Sequence, residues 1–125
     1  MRAKRSSRQL FQNKLIVKKS SLHGYGVFAG KTIRKGEVIE TCYLILSKGG
    51  DKKLEDYYFD AKGKYAIFTG FGIIYNHSED PNGDYFINIK SRIVTFKAAR
   101  TIRKGEEICI SYGDKWFSDR GFKVK

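Results

Sequence analysis

Phe71-Gly72-Ile73-Ile74-Tyr75-Asn76-His77-Ser78-Glu79-Asp80-Pro81-Asn82 is the stretch on which the fold of this 125-residue chain turns. An apolar run, Phe71–Tyr75, leads straight into a polar segment that holds the chain's only proline. The pattern predicts a buried strand over Phe71–Tyr75 followed by a sharp exit. Read alone, the exit is turn chemistry, with Asn76 and Ser78 as caps and His77 as a hydrogen-bonded core histidine. His23 and His77 are the only histidines, so a histidine-rich metal site is not supported. No GxSxG elbow accompanies them, which argues against a Ser–His–Asp hydrolase.

Two further segments flank this one. Downstream, Gly105-Glu106-Glu107-Ile108-Cys109-Ile110-Ser111-Tyr112-Gly113 alternates aliphatic and polar positions and ends in a tyrosine against a glycine; by itself it fits any edge strand. Upstream, His23-Gly24-Tyr25-Gly26-Val27-Phe28-Ala29 sets two glycines around one aromatic ahead of a strand-like run. Such a loop lets backbone amides approach a ligand closely, yet it is also an ordinary hairpin turn. The third glycine and following helix of a dinucleotide fingerprint are missing.

The remaining pattern is mostly β. Strands are expected at Leu15–Lys18, Tyr25–Ala29, Val38–Leu46, Phe71–Tyr75, Asp84–Lys90, Arg92–Lys97 and Glu107–Tyr112. Leu54, Tyr57, Tyr58 and Ala61 fall at helical spacing, so a helix is expected over Lys53–Ala61, with one more helical turn at Asp114–Asp119 and short loops at Lys48–Lys52 and Ala61–Lys64. Thirteen glycines against one proline favour tight bends between short strands. The hexamer Thr-Ile-Arg-Lys-Gly-Glu occurs twice, at Thr32–Glu37 and Thr101–Glu106. We read it as one local solution used twice, a polar turn whose glycine takes positive φ before a strand begins.

Cys42 and Cys109 are far apart and form no CxxC pair, which speaks against a disulfide framework or a zinc cluster. The basic opening has no apolar run behind it, so an intracellular, non-secreted, non-membrane protein is expected. Net charge is +12 and unevenly spread: residues 1–36 carry ten Lys or Arg and no acid, whereas residues 37–125 carry fifteen bases and thirteen acids. That divides the chain into a basic arm at residues 1–14 and a domain at residues 15–125. The arm is either a solvated terminus or a polyanion contact.

Taken together and in this order, HGYGVFA, FGIIYNHSEDPN and GEEICISYG resemble the SET domain of protein lysine methyltransferases, from about Leu15 to Phe117. The LEDYYF stretch at Leu54–Phe59 is similar to the segment between the two halves of small stand-alone members, some of them viral. The resemblance implies a mainly β fold with few short helices, in which the Asn-His segment and the C-terminal strand meet in a knot-like crossing. It implies S-adenosyl-L-methionine as cofactor, held by the backbone of Gly24, Tyr25 and Gly26, by Asn76 and by the His77 backbone, with Phe117 packed on the adenine. Tyr112 matches the catalytic tyrosine, and Tyr57, Ile110 and Trp116 are candidates for lining the substrate-lysine channel. Where relatives often carry Phe or Tyr, Ile110 has no hydroxyl to anchor a water, which implies progression beyond one methyl group. Zinc modules that flank many relatives are absent, and thirteen residues follow Tyr112, so the channel closes by local aromatic packing or with a second copy of the chain in a homodimer.

The function so implied is methyl transfer to protein lysines, with a basic partner such as a histone tail. Asp51, Glu55, Asp56, Asp60, Glu79, Asp80 and Asp84 could form a negative groove for it, and the basic arm could touch nucleosomal DNA. A eukaryotic host would then place the protein in the nucleus, on chromatin, and any other host in the cytoplasm. Two other readings stand beside it: a non-catalytic basic β-barrel that binds nucleic acid by phosphate contact and stacking, and a degenerate SET domain acting as a scaffold.

Overall fold

The computed structural model describes residues 10–48, 58–61 and 64–112. Ten strands follow in chain order: β1 (Phe11–Gln12), β2 (Leu15–Lys19), β3 (Tyr25–Ala29), β4 (Val38–Ser47), β5 (Phe59–Ala61), β6 (Lys64–Phe68), β7 (Asn76–His77), β8 (Gly83–Asn88), β9 (Ile93–Ala98) and β10 (Glu107–Ile110). No helix occurs among the described residues. One sheet runs β5-β6-β4-β9-β8, with β1 on β4. A second runs β2-β3-β10-β7, and its β10–β7 pairing is parallel, Cys109 opposite Asn76 and Ile110 opposite His77. This juxtaposition of the Asn-His segment with the C-terminal strand is what a knot-like crossing requires; the chain beyond Tyr112 lies outside the described residues.

Inward-facing aliphatics from both sheets, among them Val27, Ile39, Leu44, Val94 and Ile108, join one buried core. An aromatic series runs through it. Phe59 stacks on Phe68 with centroids 4.4 Å apart, Phe68 meets Phe96 edge-on at 5.7 Å, and Tyr75 lies 4.7 Å from Phe96. Phe11 and Gln12, assigned to the basic arm by charge, pair with Thr41 and Glu40 of β4.

The repeated hexamer becomes a reciprocal joint. Ile33 and Ile102 pair as an isolated antiparallel bridge. Gly36 N donates to Ala98 O and Gly105 N to Ala29 O, both at 2.8 Å. Ala98 N donates to Glu37 O and Ala29 N to Glu106 O, both at 2.9 Å. Each hexamer thus closes on the other, related by a local two-fold. Gly36 and Gly105 have φ of 86° and 90°, the positive values expected from the sequence, where a side chain would be strained. The same relation carries into the strands: Phe28 faces Glu107 as Lys97 faces Val38. A register shift between Val38 and Glu40 then breaks it.

Two expectations fail. Phe71–Tyr75 is no strand but a pair of turns, with Gly72 N bonded to Thr69 O and Ile74 N to Phe71 O. Tyr75 is buried and Phe71 and Ile74 pack against the core while Ile73 is exposed, and the buried Glu40 carboxyl takes the Phe71 amide that a ladder would have used. The helix expected over Lys53–Ala61 is also wrong at its described end: Phe59–Ala61 is β5, paired with β6. Tyr58, Phe59 and Ala61 are all buried, and aromatic packing on β6 outweighs the helical spacing. Residues 53–57 and 114–119 lie outside the described residues.

Candidate active site

The site is built where β3, β7 and β10 meet. Asn76 is buried on β7, and its Nδ2 donates to His23 O at 3.1 Å, Tyr25 O at 3.2 Å and Glu107 Oε2 at 2.7 Å. The other Glu107 oxygen accepts from Ser20 Oγ at 2.6 Å. One amide therefore ties the Gly24–Gly26 loop to β10. Gly26 is needed for this contact, since a Cβ there would overlap Glu107 Oε2 and lie 3.1 Å from Asn76 Nδ2. Asn76 Oδ1 accepts no hydrogen bond from a described residue, leaving an acceptor-rich corner beside the loop.

Tyr112 is fixed from three sides. Its hydroxyl donates to Tyr75 O at 2.6 Å, its amide donates to His77 Nδ1 at 3.0 Å, and Phe59 meets its ring edge-on at 5.8 Å. Because Nδ1 accepts, a neutral His77 carries its proton on Nε2, which faces Glu79 Oε1 at 3.3 Å. Behind this, Tyr75 donates its own hydroxyl to Glu40 Oε1 at 2.6 Å. Glu40 is 2% exposed and also accepts from Phe71 N and Gln12 Nε2. Asn82 braces β10 like a missing strand, accepting from Cys109 N and donating to Glu107 O.

Burial, with smaller contributions from Cys109 and Glu107, pushes the Tyr112 phenol up to about 12. Burial and then Glu107 push the Cys109 thiol up to about 11. Cys42 and Tyr75 are raised by burial and then by Glu40. These shifts share one sign. In the unfolded chain thiols and phenols start to lose protons near pH 9–10, while the folded groups keep theirs to about pH 11–12, so the unfolded state binds fewer protons. Stability is expected to be unaffected by these groups below about pH 9 and to fall steadily above it, read as melting temperature from pH 8 to 11. A flat profile through pH 11 would contradict these shifts.

Residues 24–113 match the model of the SET domain. The chain belongs to the SET-domain family. It is 31% identical over 119 residues to a Schizosaccharomyces pombe protein named histone-lysine N-methyltransferase, H3 lysine-37 specific, covering 88% of this chain and 81% of that protein. A crystal structure from Plasmodium falciparum, assigned as a histone methyltransferase, is 35% identical with a TM-score of 0.70, over 80% of this chain and 97% of that one.

Within this SET domain, Asn76 is bonded to the carbonyls on either side of Gly24 and Tyr112 N to His77, so Gly24, Tyr25, Gly26, Asn76, His77 and Tyr112 lie in one region. Ile110 sits on β10 with no exposed surface, in the core beside Ile108. Tyr57, Trp116 and Phe117 lie outside the described residues. The sequence reading assigned no role to Glu107, Ser20, Tyr75, Glu40 or Asn82. Glu107 and Asn82 were within the quoted motifs, but nothing local distinguishes a carboxylate that bonds 31 residues away from a solvated one.

Proposed function

We propose that this SET domain transfers methyl groups from S-adenosyl-L-methionine to the side-chain amine of protein lysines, with histone tails as the substrate class. The observation that carries the reading is the junction at Asn76, whose side chain gathers the Gly24–Gly26 loop and Glu107 next to the Tyr112 hydroxyl. A cofactor bearing an ammonium group fits this corner, because Asn76 Oδ1 and the loop carbonyls offer acceptors to it. The Gly24-Tyr25-Gly26 backbone and Asn76 would hold its methionine end, and the His77 backbone and Phe117 its adenine. When bound, it supplies an electrophilic methyl on a sulfonium.

The chain's own residues supply the rest. A phenol raised to about 12 is neutral at working pH, so Tyr112 does not remove the lysine proton. Free lysine has a pKa of roughly 10.4, and losing the proton at neutrality costs roughly 4–5 kcal/mol. Burial in a channel that Tyr57 and Trp116 would line, with Ile110 packed in the core behind it, and next to a positive charge, lowers that cost. The Tyr112 proton is committed to Tyr75 O, so its oxygen presents lone pairs toward the reacting groups and orients the amine.

Mass spectrometry of a histone and peptide panel after incubation with labelled cofactor tests the reading; no transfer to any lysine would defeat it. On a good substrate the spectra should pass beyond monomethylation, since Ile110 cannot anchor a water in the space a methylated amine needs. A stable halt at one methyl group would assign control to Trp116 instead. Asn76→Ala should weaken cofactor binding by roughly 1–3 kcal/mol in calorimetry. Unchanged binding with only an earlier melt would reduce Asn76 to a structural brace.

A further inference from the structure

Charge counted along the chain suggests a basic front end, but folding rearranges it. The reciprocal joint brings the segment carrying Lys31, Arg34 and Lys35 beside the one carrying Arg100, Arg103 and Lys104, and all six residues are exposed. Ile33 and Ile102 are fully buried, so their chain neighbours Thr32, Arg34, Thr101 and Arg103 point outward. Across the antiparallel bridge Arg34 stands opposite Thr101 and Arg103 opposite Thr32. The two arginines are diagonal neighbours across the bridge, a relation that places residues about 7–8 Å apart, within reach of long side chains. Glu37 and Glu106 are turned back onto the turn amides, accepting from Arg34 N and Arg103 N. Among the described residues, Arg100 alone of the six cations pairs with an acid, Asp80, at 3.5 Å. A rigid frame thus holds like charges together at the end of β3 and β10 remote from the Gly24–Tyr112 site. Four strand steps of about 3.3 Å separate the two ends of β3, roughly 13 Å.

We propose that this two-fold patch binds the phosphate backbone of double-stranded nucleic acid without reading its sequence. Arg, Lys and Thr are phosphate-contacting side chains. The segments that carry the patch, Gly30–Glu37 and Ala99–Glu106, contain no aromatic residue on which an unpaired base could stack, which disfavours single strands. The pairing of Arg34 with Arg103, and of Lys35 with Lys104, about a local two-fold matches the local dyad that relates the two strands of a duplex. The inference is independent of methyl transfer, because binding is measured without cofactor.

The test uses the full chain, a short labelled duplex of arbitrary sequence, and anisotropy titrations across salt. The variant Arg34→Ala/Arg103→Ala should flatten the plot of log K against log salt by about 1.8, that is 0.9 per lost contact, and bind roughly 50-fold more weakly at about 0.1 M salt. Its melting temperature should be unchanged, since both side chains are solvent-facing. A control variant, Arg2→Ala/Lys4→Ala/Arg5→Ala/Arg8→Ala, separates the arm: wild-type slope in the arginine pair variant, with binding lost in the arm variant, overturns the proposal. So does equal or tighter binding of a single strand of the same length, or of polyglutamate.

Discussion

Tyr112→Phe is expected to lower kcat by roughly 10²-fold or more and to leave cofactor affinity nearly unchanged. The substitution removes one oxygen from a ring that is held independently of it. The backbone amide at 112 still donates to His77 Nδ1, and Phe59 still packs edge-on against the ring. What is lost is the group that bonds Tyr75 O at 2.6 Å and that we propose orients the amine. Asn76, which we propose holds the cofactor together with Gly24–Gly26, is bonded to Glu107 and not to this hydroxyl. Single-turnover rates and calorimetry, measured on the same preparation, separate the two effects. Near-normal turnover would remove Tyr112 from the mechanism.

The second large effect is on stability. Glu40→Ala should cost about 3–5 kcal/mol, because a buried donor that loses its acceptor costs about 1–3 kcal/mol and more than one is affected. It would strand the Tyr75 hydroxyl and the Phe71 amide, whereas Gln12, which also donates to this carboxyl, is exposed and its amide can turn to water. Against a total of about 5–15 kcal/mol for a folded domain, that is a large fraction. Tyr75→Phe, which removes one donor and leaves the carboxyl its others, should cost about 1–3 kcal/mol. Urea unfolding of both variants checks the order, and a Glu40→Ala loss below that of Tyr75→Phe would show that the carboxyl is not the organising group.

Sequence reading went furthest where a strand faces the core on one side. Tyr25–Ala29 has the expected bounds, and Val38–Leu46 extends by one residue to Ser47. It failed where apolar content was decoupled from strand geometry. Phe71–Tyr75 needs no ladder because Glu40 accepts from Phe71 N and local turns take the Gly72 and Ile74 amides, and Lys64–Phe68 is a strand through its pairing with β4 and with Phe59–Ala61, whose spacing reads as helical. The site divides the same way. Asn76, Tyr112 and the glycine loop are legible because their chemistry lies in local motifs. Glu40 and Tyr75 are not, because a buried carboxylate 35 residues from the hydroxyl it accepts looks on paper like any alternating strand residue.

The reciprocal closure of the two hexamers also constrains the order of events during synthesis. Neither turn can satisfy its glycine amide or the alanine amide that enters it without the other, which lies 69 positions away, from Thr32 to Thr101. A nascent chain that has presented everything up to β8 therefore still lacks the acceptors for Gly36 N and the donor for Glu37 O. Its first half has hairpin contacts but no closed core. Loop-closure entropy must be met before these distant contacts return anything. Docking of the two sheets is thus a late step, triggered by the arrival of β9 and the second hexamer, and until then β4 presents an unpaired edge on which another chain could add.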